Sequence, residues 1–397
     1  MKQYMYTSPQ VKVIEIVSRL VRVMVAVSAF AVTILSSCDK LEFSNGHSDI
    51  RKCSDMLYEV TYSDYSSEAP NGAYEEIAGD LACSSVRNGD FHGRNFDYFA
   101  NQCPTVVVRT TAKEGRYATI GVARLKGTNE AKMESGLSKE KMDLLPWALF
   151  DGMNEKGLVV NANVVSKQDW GKKEDHTGTD KTLPELNVIV AIRPLLDYCA
   201  NIGEALKYLQ AHNITPLPSK KMNLHFMISD SDSTYVVEFI DNKIVAKPRY
   251  IMTNYHLLRE DVDIPDYAIG VERYDILENN YALGGQSMQG MFDLMKMVRY
   301  TNLYKYPEYK WYSELVGPNQ VSYTQIINEP EIKPLLDATL ADIKTNWAEE
   351  LKYIEKNGFR AETIWWDTTH NSIYDIRNKQ LWVTVHEWYD KARKFSL

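Results

Sequence analysis

The chain has 397 residues, with 45 Lys and Arg against 53 Asp and Glu, a formal net charge of -8. An acidic balance of this kind excludes a nucleic-acid binder built on a basic face, because phosphates need cations to neutralise them. At 44% hydrophobic residues, the roughly 360 residues after position 38 can fill one large domain or two medium ones.

In chain order, Arg19 and Arg22 precede an uncharged apolar run from Val23 to Leu35, followed by Ser36, Ser37 and Cys38. Such a run is too short for a bilayer span and suits the apolar part of a signal peptide. Leu35-Ser36-Ser37-Cys38 resembles the lipobox of bacterial lipoproteins, whose cysteine is acylated and becomes the mature N-terminus. Residues 1–38 are therefore expected to be a lipoprotein signal peptide, with Cys38 lipidated and the protein exported to the periplasm, outer membrane or cell surface. Residues 39–82, where ten acidic residues face three basic ones, read as a poorly structured acidic linker or propeptide.

From Leu81 the pattern changes. Ala82–Val86 and Asp90–Tyr98 predict two strands joined at Asn88-Gly89. Thr105–Thr111, Tyr117–Ala123 and Leu158–Val165 continue as strands, the last entered through the turn Asn154-Glu155-Lys156-Gly157. Helical spacing covers Leu186–His212 with a break at Asn201-Ile202-Gly203. Leu224–Ser229, Thr234–Ile240 and Lys243–Pro248 form a meander. Met291–Tyr300 and Ile332–Asn357 are predicted helices, and Thr363–Asp367, Asn371–Ile376 and Gln380–Val385 closing strands. Strands on both sides of a helical block indicate an α+β fold with layered sheets.

Chemistry concentrates on the first hairpin. Cys83 stands at the start of one strand, and Arg94 and Asp97 lie on its antiparallel partner, so the turn returns them beside the thiol. A guanidinium near a thiol favours thiolate, the nucleophilic form, and a carboxylate holds the cation in place. A buried structural cysteine beside a surface ion pair satisfies the same spacing.

Cys83-Ser84-Ser85 followed by Gly93-Arg94-Asn95-Phe96-Asp97 resembles the opening of the choloylglycine hydrolase and acid ceramidase group of N-terminal-nucleophile cysteine hydrolases. Asp151-Gly152-Met153-Asn154-Glu155-Lys156-Gly157-Leu158, Asn223–Asp230 with Val236-Val237-Glu238, Met252-Thr253-Asn254 and Gly270-Val271-Glu272-Arg273-Tyr274 follow in the family's order. Thr363-Ile364-Trp365 and Ser372-Ile373-Tyr374-Asp375 resemble the closing hairpin of related members. The likeness runs from Cys83 to about Glu387 and implies a catalytic domain over 83–397. It also implies a four-layer αββα sandwich of two antiparallel sheets between helices.

The resemblance implies that Cys83, freed as a new N-terminus, attacks an amide carbonyl with its own α-amino group as base. An α-amine titrates at roughly 7.7–8.0, near working pH. Asp97 is expected to orient that amine, Arg94 to favour thiolate, Asn254 to donate to the oxyanion and Arg273 to support the site electrostatically. Asn163 is chosen as the family's second asparagine; the family spacing is one residue longer, so Asn161 stands as an alternative. Cleavage at Ala82–Cys83 would separate a lipidated fragment from the catalytic chain, with a Cys53–Cys103 or Cys53–Cys199 disulfide as a tether.

The expected reaction is hydrolysis of linear non-peptide amides in N-acyl compounds: bile-salt conjugates, N-acyl amino acids or lipids, ceramide-like amides or penicillin V. Alternatives are an acyltransferase passing the acyl group to an amine and a non-catalytic lipid- or glycan-binding surface lipoprotein. The expected partners are a small-molecule amide, a membrane through the Cys38 anchor, and further copies of the chain, since relatives are often homotetramers. No cofactor or metal is expected. His386 and Glu387 point to opposite faces of a strand, and no His-x-x-x-His or Cys-x-x-Cys occurs.

Overall fold

The computed structural model describes residues 43–71, 82–99, 104–166, 182–216, 222–240, 243–259, 270–299, 366–385 and 389–397, with isolated positions between 330 and 345. The strands are β1 (Arg51–Ser54), β2 (Leu57–Tyr62), β3 (Ala82–Asn88), β4 (Phe91–Phe99), β5 (Thr105–Thr110) and β6 (Thr119–Ala123). They continue as β7 (Leu149–Asn154), β8 (Val159–Ser166), β9 (Glu185–Asn187), β10 (Asn213–Thr215), β11 (Met222–Ser229) and β12 (Thr234–Ile240). The last are β13 (Lys243–Pro248), β14 (Ile251–Met252), β15 (Trp366–Asp375), β16 (Gln380–Val385) and β17 (Arg393–Ser396). Helices are α1 (Glu130–Ser135), α2 (Lys139–Leu144), α3 (Ile192–Tyr198), α4 (Ile202–Gln210), α5 (Val271–Asn280) and α6 (Met288–Met297).

A nine-stranded sheet runs β1-β2-β5-β6-β7-β8-β11-β12-β13, and a six-stranded sheet runs β14-β3-β4-β15-β16-β17. Leu57, Val107, Ile120, Met153 and Val159 of the first meet Tyr374, Leu381 and Val383 of the second in a buried layer between the sheets. On the outer side of the large sheet, Val160, Ala162 and Val164 pack with Leu195, Leu196, Ala205 and Leu209 of α3 and α4. On the outer side of the small sheet, Val86, Ile251 and Ile373 pack with Leu277, Met291, Leu294 and Met295 of α5 and α6. The order is helix, sheet, sheet, helix: the four-layer αββα sandwich.

The reading of 39–82 as a poorly structured linker is corrected for residues 51–62. β2 alternates with the period of a half-buried strand, its Leu57, Tyr58, Val60 and Tyr62 at most 2% exposed. It pairs in parallel with β5 from Leu57↔Thr105 to Tyr62↔Thr110, the one parallel ladder in the nine-stranded sheet. The acidic residues that dominate the composition lie outside this apolar face: Glu59 binds Arg51, and exposed Asp64 binds Lys113 at 2.6 Å. Averaging charge over the whole segment hid the alternation.

The hairpin turn also sits one residue later than predicted. Asn88 ends β3 opposite Phe91, so the two-residue loop is Gly89-Asp90. Asn88 is held in the strand by its side chain, which donates to the Tyr281 carbonyl at 2.8 Å and accepts from Gln286 N–H at 2.9 Å. Gly89 supplies the positive φ of +59°, and a Cβ there would lie 2.7 Å from Gln286 Cβ. The separate strands predicted at Thr363–Asp367 and Asn371–Ile376 are described as one, β15, irregular between Thr368 and His370. Most of the predicted helix Ile332–Asn357 lies outside the described residues, as does the 1–38 segment with Cys38. Among the described residues no helix is long and apolar enough to cross a membrane.

Candidate active site

Alternation along β3 and β4 sorts the site. Ser84 and Val86 face α6 and its C-terminal turn, where Ser84 Oγ lies 3.5 Å from the Val298 carbonyl. Cys83 and Ser85 face the large sheet, with Arg94 opposite Ser85 on β4. From there the guanidinium reaches Cys83: Arg94 Nη2 donates to Sγ at 3.1 Å and to the Ala162 carbonyl at 2.9 Å. Arg94 also lies over the Phe96 ring, 4.8 Å from its centroid, and Phe96 stacks on His370 at 4.8 Å.

The carboxylate that holds Arg94 is Asp151 of β7, not Asp97. Arg94 Nη1 donates to Asp151 Oδ2 at 2.7 Å, and both side chains are fully buried. Tyr374 Oη donates to the other oxygen. Burial works against the Asp151 charge, but His370, Arg94 and Tyr374 more than offset it and hold the carboxyl down at about 2. Burial pushes His370 down to about 4, so it is neutral at pH 7. Its Nε2 stands 3.7 Å away, beyond hydrogen-bond range. At pH 7 the charge that pairs with Asp151 is therefore Arg94, and His370 adds its own only as pH falls through about 4. The sequence contained the signal for Asp151, which opens the Asp-Gly-Met-Asn-Glu-Lys-Gly-Leu run, but spacing alone gave it no role.

Asp97 instead accepts from Arg273 Nη1 at 2.8 Å and from Thr368 Oγ1 at 2.7 Å. Arg273, on the first turn of α5, also donates through Nη2 to Asn254 Oδ1 at 2.6 Å. The same oxygen accepts the Cys83 backbone N–H at 2.9 Å, while Asn254 Nδ2 donates to the Val164 carbonyl at 2.8 Å. Two donors on one side and a carbonyl on the other fix the amide orientation. The structure thus brings together Cys83, Arg94, Asp97, Asn254 and Arg273.

Asn163 is bound through both ends of its amide. Its Nδ2 faces the Met252 and Thr253 carbonyls at 3.2 and 3.3 Å, and its Oδ1 accepts from Ser85 Oγ and from Asn161 Nδ2. Asn161 Nδ2 also donates to Ser85 Oγ at 2.9 Å, which leaves Asn161 Oδ1 as acceptor for His92 Nε2–H at 2.7 Å. His92 Nδ1 must then accept from Ser229 Oγ at 2.8 Å. The ring is neutral, in keeping with burial that pushes it down to about 4. Both asparagines therefore serve a buried polar network behind Ser85.

The thiol differs from the sequence expectation. Burial pushes Cys83 up to about 11, and Arg94, which pulls the other way, does not make up the loss. With its backbone nitrogen still an amide, Cys83 holds a neutral thiol at pH 7. The proposed tether is also corrected: Cys53 and Cys199 are free thiols. Cys53 packs toward the layer between the sheets and Cys199 lies in the helix-side core. Cys103 lies outside the described residues.

A thiol at the head of a central strand, under a buried guanidinium inside an αββα sandwich, has the architecture of an N-terminal-nucleophile hydrolase. Residues 80–261 match the family described as linear amide C-N hydrolases, choloylglycine hydrolase family. Over that span the chain resembles this family, whose described reaction is hydrolysis of linear amide C–N bonds. Among solved structures, the chain is similar to penicillin V acylase from Agrobacterium tumefaciens, at 15% identity and a TM-score of 0.42, covering 76% of this chain and 82% of that one. It is also similar to a variant of the conjugated bile acid hydrolase from Clostridium perfringens, at 14% identity and a TM-score of 0.40, covering 80% of this chain and 92% of that one. No curated protein matches the chain.

Proposed function

We propose that the chain hydrolyses N-acyl amides with Cys83 as nucleophile, after cleavage of the Ala82–Cys83 bond, on substrates of the bile-salt, N-acyl amino acid or lipid, ceramide-like or penicillin V-like kind. The observation that carries this is the placement of Cys83 itself. Arg94 lies 3.1 Å from its sulfur, and the Asn254 side chain lies 2.9 Å from its backbone nitrogen. Cleavage turns that nitrogen from an amide into an amine with an ordinary pKa of roughly 7.7–8.0. The amine, kept near Asn254, takes the thiol proton, and the thiolate attacks the substrate carbonyl.

The tetrahedral oxyanion then meets the second N–H of Asn254 Nδ2, a donor worth on the order of 3–4 kcal/mol. The α-ammonium returns its proton to the leaving amine, and the resulting thioester is hydrolysed by water deprotonated by the same amine. Asp97, fixed between Arg273 and Thr368, compensates the ammonium, and Arg94 stabilises the thiolate against burial.

We further propose that Cys38 carries lipid and anchors the protein outside the cytoplasm, a reading supported by the basic, apolar and small-residue order of 19–38. N-terminal sequencing of the mature protein is expected to give Cys-Ser-Ser-Val-Arg. Cys83→Ala is expected to abolish turnover of every amide in a panel of these classes. An active enzyme in which Cys83 stays internal would sink the mechanism, since the base would not exist.

A further inference from the structure

Asn254 lies on a segment, residues 253–259, that is neither strand nor helix and follows the two-residue strand β14. One buried carboxylate fastens it. Glu238 of β12 is fully buried. Its Oε1 accepts the Leu257 N–H at 2.8 Å and faces His225 Nδ1 at 3.1 Å. Its Oε2 accepts the Leu258 N–H at 3.1 Å and faces His256 Nδ1 at 3.3 Å. His225, on β11, continues through Nε2 to the Thr253 carbonyl at 2.8 Å.

The proton count makes this a directed arrangement. A carbonyl only accepts, so His225 Nε2 carries hydrogen. The carboxyl of Glu238 is held well below the usual range: burial opposes its charge, and His225 and His256 more than offset it. An ionised carboxylate also only accepts, so the Leu257 and Leu258 N–H groups and the His256 Nδ1 that face it are its donors. The residue before Asn254 and the two residues three and four positions after it are thus tied to one charged group, and Asn254 is the residue between the ties that touches the Cys83 nitrogen.

We infer that His225, Glu238 and His256 are positioning residues that fix Asn254 against the backbone nitrogen of Cys83. The inference rests on the role given above to Asn254. None of the three touches the sulfur in this structure, so they act through the segment they hold. A displacement of about 1 Å at a reacting group costs on the order of a hundredfold in rate, while substrate binding elsewhere is unaffected.

The test uses processed enzyme and any N-acyl amide it turns over, with kcat counted per Cys83 thiol titrated by iodoacetamide. Glu238→Gln and His225→Gln are each expected to lower kcat tenfold or more with KM within about twofold. A glutamine at 225 can reach Thr253 or Glu238 but not both, so it carries the test if Glu238→Gln does not fold. In Asn254→Ala enzyme, adding Glu238→Gln is expected to cost little more, because both changes remove one interaction. An impaired Asn254→Ala beside unimpaired Glu238→Gln and His225→Gln overturns the positioning role alone, as does a fully additive double variant. Wild-type kcat in Asn254→Ala overturns the role of Asn254, and the positioning role with it.

Discussion

Asp151→Asn is the sharpest test of how the site is held. The change keeps the shape and one acceptor but removes the charge facing Arg94, a side chain with no solvent exposure whose other partners are the Cys83 sulfur and the Ala162 carbonyl. With the thiol pushed to about 11, no anion replaces the lost carboxylate at pH 7. Breaking a buried ion pair from one side costs about 3–5 kcal/mol, against a total stability of roughly 5–15 kcal/mol. Thermal unfolding should therefore fall by on the order of 10 °C.

The acid limb gives a second reading of the same change. Asp151 sits at about 2 in the fold and near 3.9 in an unfolded chain. Its contribution, about 2–3 kcal/mol, is present above pH 3.9 and is lost as pH falls toward 2, so the variant should show a flatter stability curve over that window. Removing both charges, in Asp151→Asn with Arg94→Met, should recover part of the loss because no stranded cation remains. Urea titrations followed by tryptophan fluorescence read all three proteins. If Asp151→Asn unfolds within about 2 °C of wild type, or the double variant is additive, Arg94 has another counter-charge and the reasoning fails.

Two further outcomes follow from the same structure. In uncleaved chain, thiolate absorbance at about 240 nm, measured against Cys83→Ala, should rise with a midpoint near 11 instead of the ordinary value of roughly 8.5. Stability should be unaffected by Cys83 below about pH 8.5 and should decline between there and 11, since only the unfolded chain releases the proton in that range; a midpoint near 8.5 would show the sulfur solvated. A chain expressed from Cys83 onward lacks β2 and leaves the β5 ladder open, with Val106 and Val108 uncovered. It should be insoluble and be rescued by co-expressed 39–82, as read by soluble yield; a soluble, well-folded chain without 39–82 would refute the structural role of β2.

What the sequence made legible was local. The hairpin carrying Cys83 and Arg94 is encoded by alternation and a two-residue turn. The meander from Leu224 to Pro248 shows its strands directly, with β12 and β13 at their predicted bounds and β11 beginning two residues earlier. The Arg94–Asp151 pair was not legible, because 57 residues and the gap between two sheets separate its members, whereas Asp97 stood on the same strand as Arg94 and took the role by proximity. Asn161 and Asn163 share one face of β8, so periodicity could not choose between them. Contact with His92 for Asn161 and with the backbone at 252–253 for Asn163 distinguish them only once the sheets are stacked. β2 was lost for the opposite reason: its signal is six residues long inside a segment whose average charge is acidic.

The eleven residues between Cys83 and Arg94 contrast with the 171 between Cys83 and Asn254. A hairpin closes in about 1–10 μs, whereas the asparagine arrives only when β14 has docked beside β3, a step delayed by the closure of a long loop. Loop length alone brings the cation to its sulfur before the amide nitrogen reaches its partner, so the later contact reports that β14 has docked.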